Sequence, residues 1–405
     1  MSPAQSDGEW RLGWRIVAAC AVANGTGVSL MFFTFSLFLL PISHELGLTR
    51  GQGGLVQSLI VTAALGAPVM GYLADRIGFR ALFLGCTLVV GLIELFVAWW
   101  VNSILGLAGA IAAVGFVGGG SAVVVLTRPV NAHFRAARGL ALGLVGAGVS
   151  ITTIVVPPLL ERIIREDGWR SGYIALAAIA VVVGIPMVLA LFPRSADKPL
   201  RTVPALSLVS EAGDRSFFRA PDFWLLTAAN ILAAVAISGA ISQLSPMIQA
   251  QGHGAATAAL GISAFAVGQL MGKVGGGLLL DRFDPRLVAA MLNAIPALGF
   301  ILLLSGQSGT AAVLLAAGLI GLLQGADIGI FAYFVARRFD LARYGTIYGA
   351  MSGLGWIGTA TGAIGFGATY DRFATYAPAQ AAAIGFLMLA ALALLQVRLP
   401  ARAQR

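Results

Sequence analysis

The chain has 405 residues, 58% hydrophobic and only 11% charged, with 52 glycines and a mean hydropathy of +0.89. A soluble domain carries about 25% charged residues, so this composition speaks against a soluble enzyme, a nucleic-acid-binding protein or a disordered scaffold and makes the bilayer the solvent. The net charge of +9 does not point to nucleic acid, because the basic residues stand in short segments between apolar runs.

A helix that crosses the hydrocarbon core needs about 20 mainly apolar residues, and twelve such spans are predicted. Span 1 covers 14–40; its apolar run from Ile16 to Ser43 is too long for the core of a cleavable leader and reads as a retained membrane helix. Span 2 (52–74) leads into the charged turn Gly71–Arg80. Span 3 (81–101) carries Cys86 and Glu94; Cys86, like Cys20 in span 1, reads as an inert buried thiol. Glu94 stands about 21 Å along the helix from Arg80, so it is expected to snorkel to the outer interface beside Trp99 and Trp100. Span 4 (104–130) follows the Val101–Ser103 turn and ends near Arg128 and Pro129. Spans 5 (139–163) and 6 (170–192) complete an N-terminal bundle, residues 10–193. The polar stretch 194–220 holds Arg194, Lys198, Arg201, Arg215 and Arg219, is too short for a domain, and reads as a cytoplasmic linker. Spans 7 (222–247), 8 (256–280), 9 (287–305), 10 (311–336), 11 (344–368) and 12 (378–397) form the second bundle, residues 221–398. The expected fold class is an all-α membrane protein with twelve transmembrane helices in two six-helix bundles.

The positive-inside bias places both termini in the cytoplasm. With that orientation Arg50, Arg162, Arg165, Arg170 and Arg372 fall outside, Lys273 falls within a span, and every other Lys or Arg is inside. The chain also repeats itself. Gly71-Tyr-Leu-Ala-Asp75-Arg76-Ile-Gly-Phe-Arg80 and Gly277-Leu-Leu-Leu-Asp281-Arg282-Phe-Asp-Pro-Arg286 share Gly, Asp, Arg and Arg at an offset of 206 residues. The same offset superposes Gly139 and Gly143 on Gly345 and Gly349, and Asn24 on Asn230. Two parallel repeats of this kind are a transporter arrangement, with substrate near the midplane. Within the motif, Gly71 and Gly277 are expected to let helices approach closely. Asp75, Arg76, Arg80, Asp281, Arg282 and Arg286 are expected to cap helix ends and pair across the halves as gating contacts; the alternative is a static surface ion pair.

Four polar residues lie deep in the spans. Counted at about 1.5 Å per residue, Lys273 is about 14 Å from Arg282, Asp327 about 15 Å from Arg337, Asn24 about 14 Å from Arg15 and Asn230 about 12 Å from Asp222. In a core about 30 Å thick all four fall near the middle. A cation there costs about 2.5–3.5 kcal/mol on an insertion scale. Only two of the 26 basic residues are lysine, which singles out Lys273 as the candidate anion holder and Asp327 as the candidate proton carrier. The alternative is a structural Lys273–Asp327 pair. A substrate carboxylate that displaced Asp327 would remove a cation at about 4 Å, worth about 4 kcal/mol at an effective dielectric near 20. Asp327 would then take up a proton, and anion and proton would load together. Asn24 and Asn230 could hydrogen-bond the substrate or serve as helix–helix glue. Tyr348 and Trp356 on span 11, and Tyr333 on span 10, could wall the site or simply pack. Arg128 could line the cytoplasmic mouth as a second cation or snorkel to headgroups.

Gly268-Gln-Leu-Met-Gly272-Lys273 lacks the spacing and hydroxyl of a nucleotide loop. The runs Gly268/Gly272/Gly276 and Gly321/Gly325/Gly329 read as packing faces. His44, His133 and His253 are dispersed, so no metal site is expected, and no cofactor, nucleotide, nucleic acid or catalytic constellation either. The expected partners are a small organic carboxylate, a proton and the lipid bilayer, with a monomer as the default state.

The Gly71–Arg80 motif resembles the signature of the major facilitator superfamily. More narrowly, His133-Phe-Arg-Ala-Ala-Arg138-Gly-Leu-Ala-Leu-Gly143, Pro157-Pro158, Gly168-Trp169-Arg170, Gly325-Ala-Asp327 and Tyr344-Gly-Thr-Ile-Tyr348-Gly resemble the bacterial monocarboxylate-transporter and oxalate/formate-antiporter branch. The resemblance implies the major facilitator fold, with spans 1, 7, 8 and 10 lining a central cavity, and transport of small carboxylates. That branch usually has arginine at the position of Lys273, glutamate at Asp327, a second acid at Gly329 and tryptophan at His133. Its oxalate exchanger also uses a span 11 lysine that this chain lacks. Three readings follow: proton-coupled monocarboxylate symport by alternating access in a bacterial inner membrane, exchange of oxalate or other dicarboxylates, and efflux of hydrophobic drugs. Arg128 in the cavity beside Lys273 would favour the second, and a lone buried cation disfavours the third.

Overall fold

A long apolar run in lipid must satisfy its backbone internally, and the helix is the local way to do so. The computed structural model describes residues 3–121, 123–135, 137–197, 216–306, 309–339 and 344–399, and the described residues form helices without a strand. Span 1 is α1 (Pro3–Thr26) and α2 (Val28–Leu46), broken at Gly27. Span 2 is α3 (Arg50–Ser58), a 3-10 turn at Leu59–Thr62, and α4 (Ala63–Ile77). Span 3 is α5 (Phe79–Trp100). Span 4 is α6 (Ile104–Gly118), a 3-10 turn at Gly119–Ser121, and α7 (Val123–His133). Spans 5 and 6 run together as α8 (Arg138–Ala178), continued by a π-helical turn at Ile179–Gly184 and α9 (Ile185–Leu191). The second half is more regular: α10 (Pro221–Ala250), α11 (Ala255–Arg282), α12 (Pro285–Leu304), α13 (Thr310–Arg338), α14 (Tyr344–Phe373) and α15 (Ala377–Gln396).

Among the described residues, each of the twelve predicted spans therefore falls on helix. Among the described residues, ten runs are long and apolar enough to cross a membrane. One of them, Arg138–Leu191, holds both span 5 and span 6, because α8 turns at Gly168 with φ 84° and ψ 166°, a conformation that needs a residue without a Cβ. α14 is outside that set because Gly, Thr, Tyr and Trp dilute its apolar content.

The helices form two compact units. One comprises Met1–Leu48 and Val56–Val203, the other Thr49–Leu55 and Pro204–Arg405. Most of the linker expected at 194–220 lies outside the described residues; at its ends are 3-10 turns at Arg194–Ala196 and Ser216–Arg219. In the first unit α8 packs on α1 and α5. Phe79, Phe83, Phe134 and Phe192 build its aromatic core, and Cys20 and Cys86 are buried free thiols.

In the second unit α11 lies along α13 and α10 along α14. Glycine sets the α11–α13 spacing: a Cβ at Gly268, Gly272, Gly321 or Gly325 would stand 1.9–2.0 Å from a carbonyl oxygen of the facing helix. Gly329, expected to continue this face, meets open space instead.

The segment Thr49–Leu55 belongs to the second unit for a clear chemical reason. Asp371 at the end of α14 accepts from the backbone N–H of Arg50 (2.8 Å) and Gly51 (2.7 Å), capping α3. Arg50 donates to the Tyr376 hydroxyl (2.9 Å) and lies over the Tyr370 ring (4.4 Å). Tyr376 donates in turn to Gln243 Oε1 (3.0 Å), and Gln243 Nε2 donates to the Arg50 carbonyl (3.3 Å). Burial pushes the Tyr376 hydroxyl above the usual phenol range, so it is the phenol that donates.

The internal repeat reappears as geometry. Asn24 Nδ2 donates to the Val145 carbonyl at 3.1 Å, and Asn230 Nδ2 to the Met351 carbonyl at 3.3 Å, each across 121 residues of chain. These are one hydrogen bond made twice, related by the 206-residue offset. A Cβ at Gly66 would meet the Phe116 carbonyl at 2.0 Å, just as one at Gly272 would meet the Leu322 carbonyl at 2.0 Å. The loop-motif glycines behave differently from expectation. A Cβ at Gly71 or Gly277 would meet nothing within 4 Å, so neither marks a close helix approach.

Candidate functional site

In the second unit the close α11–α13 contact fixes two ionisable side chains next to each other. A Cβ at Gly325 would stand 2.8 Å from the backbone nitrogen of Lys273. Asp327 follows two residues later, and the Lys273 and Asp327 charges act on each other. Both side chains are partly buried. Tyr348 of α14 joins them: its hydroxyl is close enough to feel the Asp327 charge, it hydrogen-bonds Ser352, and its ring stacks on Tyr344 at 5.5 Å with the planes 6° apart. Asn230 holds α14 in place one turn further on, through Met351. A cation, a carboxyl group and a phenol thus converge from α11, α13 and α14. That set can bind an anion and exchange a proton.

The remaining predicted residues lie elsewhere. Tyr333 receives a hydrogen bond from Arg337 Nη1 at 3.3 Å and belongs to the end of α13. Trp356 lies on an exposed part of α14, 38% accessible. Asn24 is buried and bridges α1 to α8 through Val145, with Ser29 as a second partner. Arg128 forms an ion pair with Asp75 and donates to the Gly71 carbonyl at 2.9 Å. It is neither snorkelling nor unpaired; it locks α7 to the loop motif.

The motif's other charges also have local uses. Arg80 Nη1 donates to the Phe192 carbonyl (2.7 Å), and Asp197 accepts from the backbone N–H of Phe79 (2.7 Å) and Arg80 (3.3 Å). Arg76 lies over the Tyr72 ring at 4.6 Å. In the second copy Arg286 pairs with Asp284 at 3.3 Å, and Asp284 caps α12. Asp281 and Arg282 are exposed at the end of α11. The named partners of Asp75, Arg80 and Arg286 all come from their own unit, where pairing across the halves was expected.

Glu94 is the clearest departure. It does not reach the outer interface but is buried, 4% accessible, on the face of α5 that also buries Thr87, Val90 and Val97. In a span that is apolar all round, this face became apparent only from the packing of α5 on α8. The cluster around Asp371 was missed for another reason: it joins three stretches, at Arg50–Gly51, Gln243 and Tyr370–Tyr376, that are more than a hundred residues apart.

The Major Facilitator Superfamily profile matches residues 18–363. The "Probable nitrate/nitrite transporter NarK2" of Mycobacterium tuberculosis is 28% identical over 382 residues, covering 87% of this chain and 89% of its own. "Monocarboxylate transporter 11" of Mus musculus is 26% identical, covering 79% of this chain and 72% of its own. Among solved structures, a D-xylose-proton symporter superposes with a TM-score of 0.73 at 14% identity, covering 96% of this chain and 98% of the other. An inward-facing bacterial homolog of the human lysosomal transporter Spinster gives 0.67 at 16% identity, covering 95% of this chain and 94% of its own. The chain belongs to the major facilitator superfamily and is an integral membrane protein with that family's fold.

Proposed function

We propose that this protein is a secondary active transporter of small monovalent organic anions, working by proton-coupled monocarboxylate symport and alternating access. The observation that carries the reading is the convergence of Lys273, Asp327 and Tyr348 in the second unit. In the empty site Lys273 and Asp327 offset each other's charge. A substrate carboxylate takes Lys273, Asp327 loses its cation and accepts a proton, and the loaded site stays near neutral. Tyr348 donates its hydroxyl to the carboxylate or to Asp327. The Arg128–Asp75 pair supports a site with one substrate-binding cation over a dicarboxylate exchanger with two. A cation beside an acid also suits an anion better than a hydrophobic drug.

Asn24 and Asn230 set the helix frame on this reading, and the loop motifs tune the cytoplasmic ends. Residues 10–193 and 221–398 act as the two bundles with 194–220 as linker. The protein is a monomer in a bacterial inner membrane with both termini inside. A second reading, a monovalent inorganic oxyanion, draws on the relative described as a nitrate/nitrite transporter; such an ion would need Lys273 and leave Asp327 without a coupling role. Counterflow of labelled lactate, pyruvate, oxalate, nitrate and a cationic drug in proteoliposomes separates these readings. Exchange of a monocarboxylate that Lys273→Ala abolishes supports the first; movement of nitrate alone supports the second; movement of the drug alone, or an unaffected mutant, removes both.

A further inference from the structure

The first unit contains a buried acid that this mechanism does not use. Glu94 is 4% accessible and Tyr173 is fully buried. Among the described residues neither Glu94 Oε2 nor the Tyr173 hydroxyl has a hydrogen-bond partner, yet the two groups are close enough to act on each other electrostatically. The Tyr173 ring is held between Phe38 (4.6 Å) and Trp169 (5.9 Å).

Among the described residues no ion pair reaches this carboxyl group, and on α8 Arg162 pairs with Glu166 and Arg165 with Glu161. Arg170, one turn before Tyr173 on α8, is engaged by Glu45, the Val101 carbonyl and Asn102. Trp169 Nε1 also donates to Glu45, at 2.6 Å. The other elements packed on α5 offer nothing: Ile104–Gly118, Gly119–Ser121, Ile179–Gly184 and Ile185–Leu191 carry no ionisable side chain. On α4 the charges are Asp75 and Arg76, at the opposite end of α5, with Tyr72 under Arg76. A carboxylate buried without a partner is strongly disfavoured, so the resting group is the neutral acid.

Packing does not require an acid here. α5 and α12 begin at Phe79 and Pro285, in the same register of the repeat, and the counterpart of Glu94 is Phe300, which is fully buried. The second unit thus fills this core position with a hydrocarbon ring.

A small cavity lies one helical turn from the acid along α5. Thr87 and Val90, on the Glu94 face of α5, line it together with Thr26, Gly27 and Ser121. Thr87 is seven residues, about 10 Å, from Glu94 along the helix. Three departures from α-helix meet at this cavity: the break at Gly27, the 3-10 turn Gly119–Ser121 and the π-helical turn Ile179–Gly184, which contributes Ala180. Within a membrane such backbone is tolerated where protein buries it or water reaches it, and π turns gather at functional sites. By the 206-residue offset, Ser121 is the counterpart of Asp327, so one wall of the cavity stands at the first unit's equivalent of the Asp327 position.

We propose that Glu94, with Tyr173 beside it, is a second proton-binding site of this protein, filled and emptied through the Thr26–Thr87–Ser121 cavity. On release the Glu94 O–H bond breaks, its proton passes to a water molecule in the cavity, and the Tyr173 hydroxyl turns to donate to the carboxylate. On uptake the same steps run in reverse. The site is independent of the substrate.

Infrared difference spectroscopy on the full chain in lipid, titrated with pH without substrate, tests this. In Asp327→Asn a protonated-carboxyl band that titrates is expected to persist. It should disappear in Asp327→Asn/Glu94→Gln and move in Asp327→Asn/Tyr173→Phe. Absence of that band in Asp327→Asn, or a band that does not respond to pH, overturns the proposal. If Glu94→Gln fails to fold, Asp327→Asn/Glu94→Asp keeps the acid but shortens it, and an unmoved titration midpoint overturns the proposal equally. Failure here leaves the Lys273–Asp327 reading untouched, because no substrate is present.

Discussion

Lys273 and Asp327 carry the reading of function, and they make separable predictions. Truncating one partner of a buried charge contact with a ligand costs about 2–5 kcal/mol of binding, and each 1.4 kcal/mol is about tenfold. Lys273→Ala is therefore expected to lower substrate exchange by about 100-fold or more, measured as counterflow. Asp327→Asn keeps the shape but cannot cycle a proton. It should retain counterflow while uptake driven by a pH gradient falls to background; full gradient-driven uptake in that variant would remove Asp327 from the coupling step. Both residues were legible in the sequence, because an ionisable side chain counted to mid-bilayer on a helix is conspicuous wherever it points. Arg128 was not. Its partner Asp75 is 53 residues away, and no local spacing reports that pairing.

The helix pairs owe their geometry to small residues and to a few long-range hydrogen bonds. A Cβ at Gly272 would stand 2.0 Å from the Leu322 carbonyl and 3.1 Å from the Ala326 nitrogen, both rigid backbone. Gly272→Ala is therefore expected to force α11 and α13 apart and destabilise the protein by about 1–3 kcal/mol, read as a lower Tm. Gly277→Ala, with open space around it, should leave Tm unchanged. At the other end of the second unit, Asp371→Ala removes the acceptor for two backbone N–H groups of α3. Loss of a cap costs about 1 kcal/mol, so amide hydrogen exchange over residues 50–54 should quicken severalfold while α11 and α13 keep their protection. The Gly-x-x-x-Gly spacing made the α11–α13 face readable in advance. Its end at Gly325 was not readable, because a helix diverges from its neighbour at a point set by the whole bundle. The breaks at Gly27, Gly119–Ser121 and Ile179–Gly184 also escaped the sequence, since each is an adjustment to what packs against it.

The charge bias and the repeat together define the molecule's plan. On the expected topology twenty of the 26 basic residues lie on one side, so a C-terminal reporter that matures only in the cytoplasm is expected to be active, and one that needs the periplasm silent; the opposite pattern would invert the topology. Composition, hydropathy runs and the 206-residue offset were enough to establish a helical membrane protein of twelve spans built from two repeats. Each of those properties is additive along the chain: a span is about 20 apolar residues whatever surrounds it, and a repeat is a match of positions. Which side of a helix meets protein was settled only by tertiary packing. Depth alone sent Glu94 to the interface, whereas the rotation of α5 against α8 turned it inward to Tyr173. Packing likewise made Asn24 and Asn230 equivalent braces, paired Arg128 with Asp75, gave Thr49–Leu55 to the second unit through Asp371, and brought Tyr348 to Asp327. A span's length is a local property, but a side chain's partner depends on helices tens or hundreds of residues away.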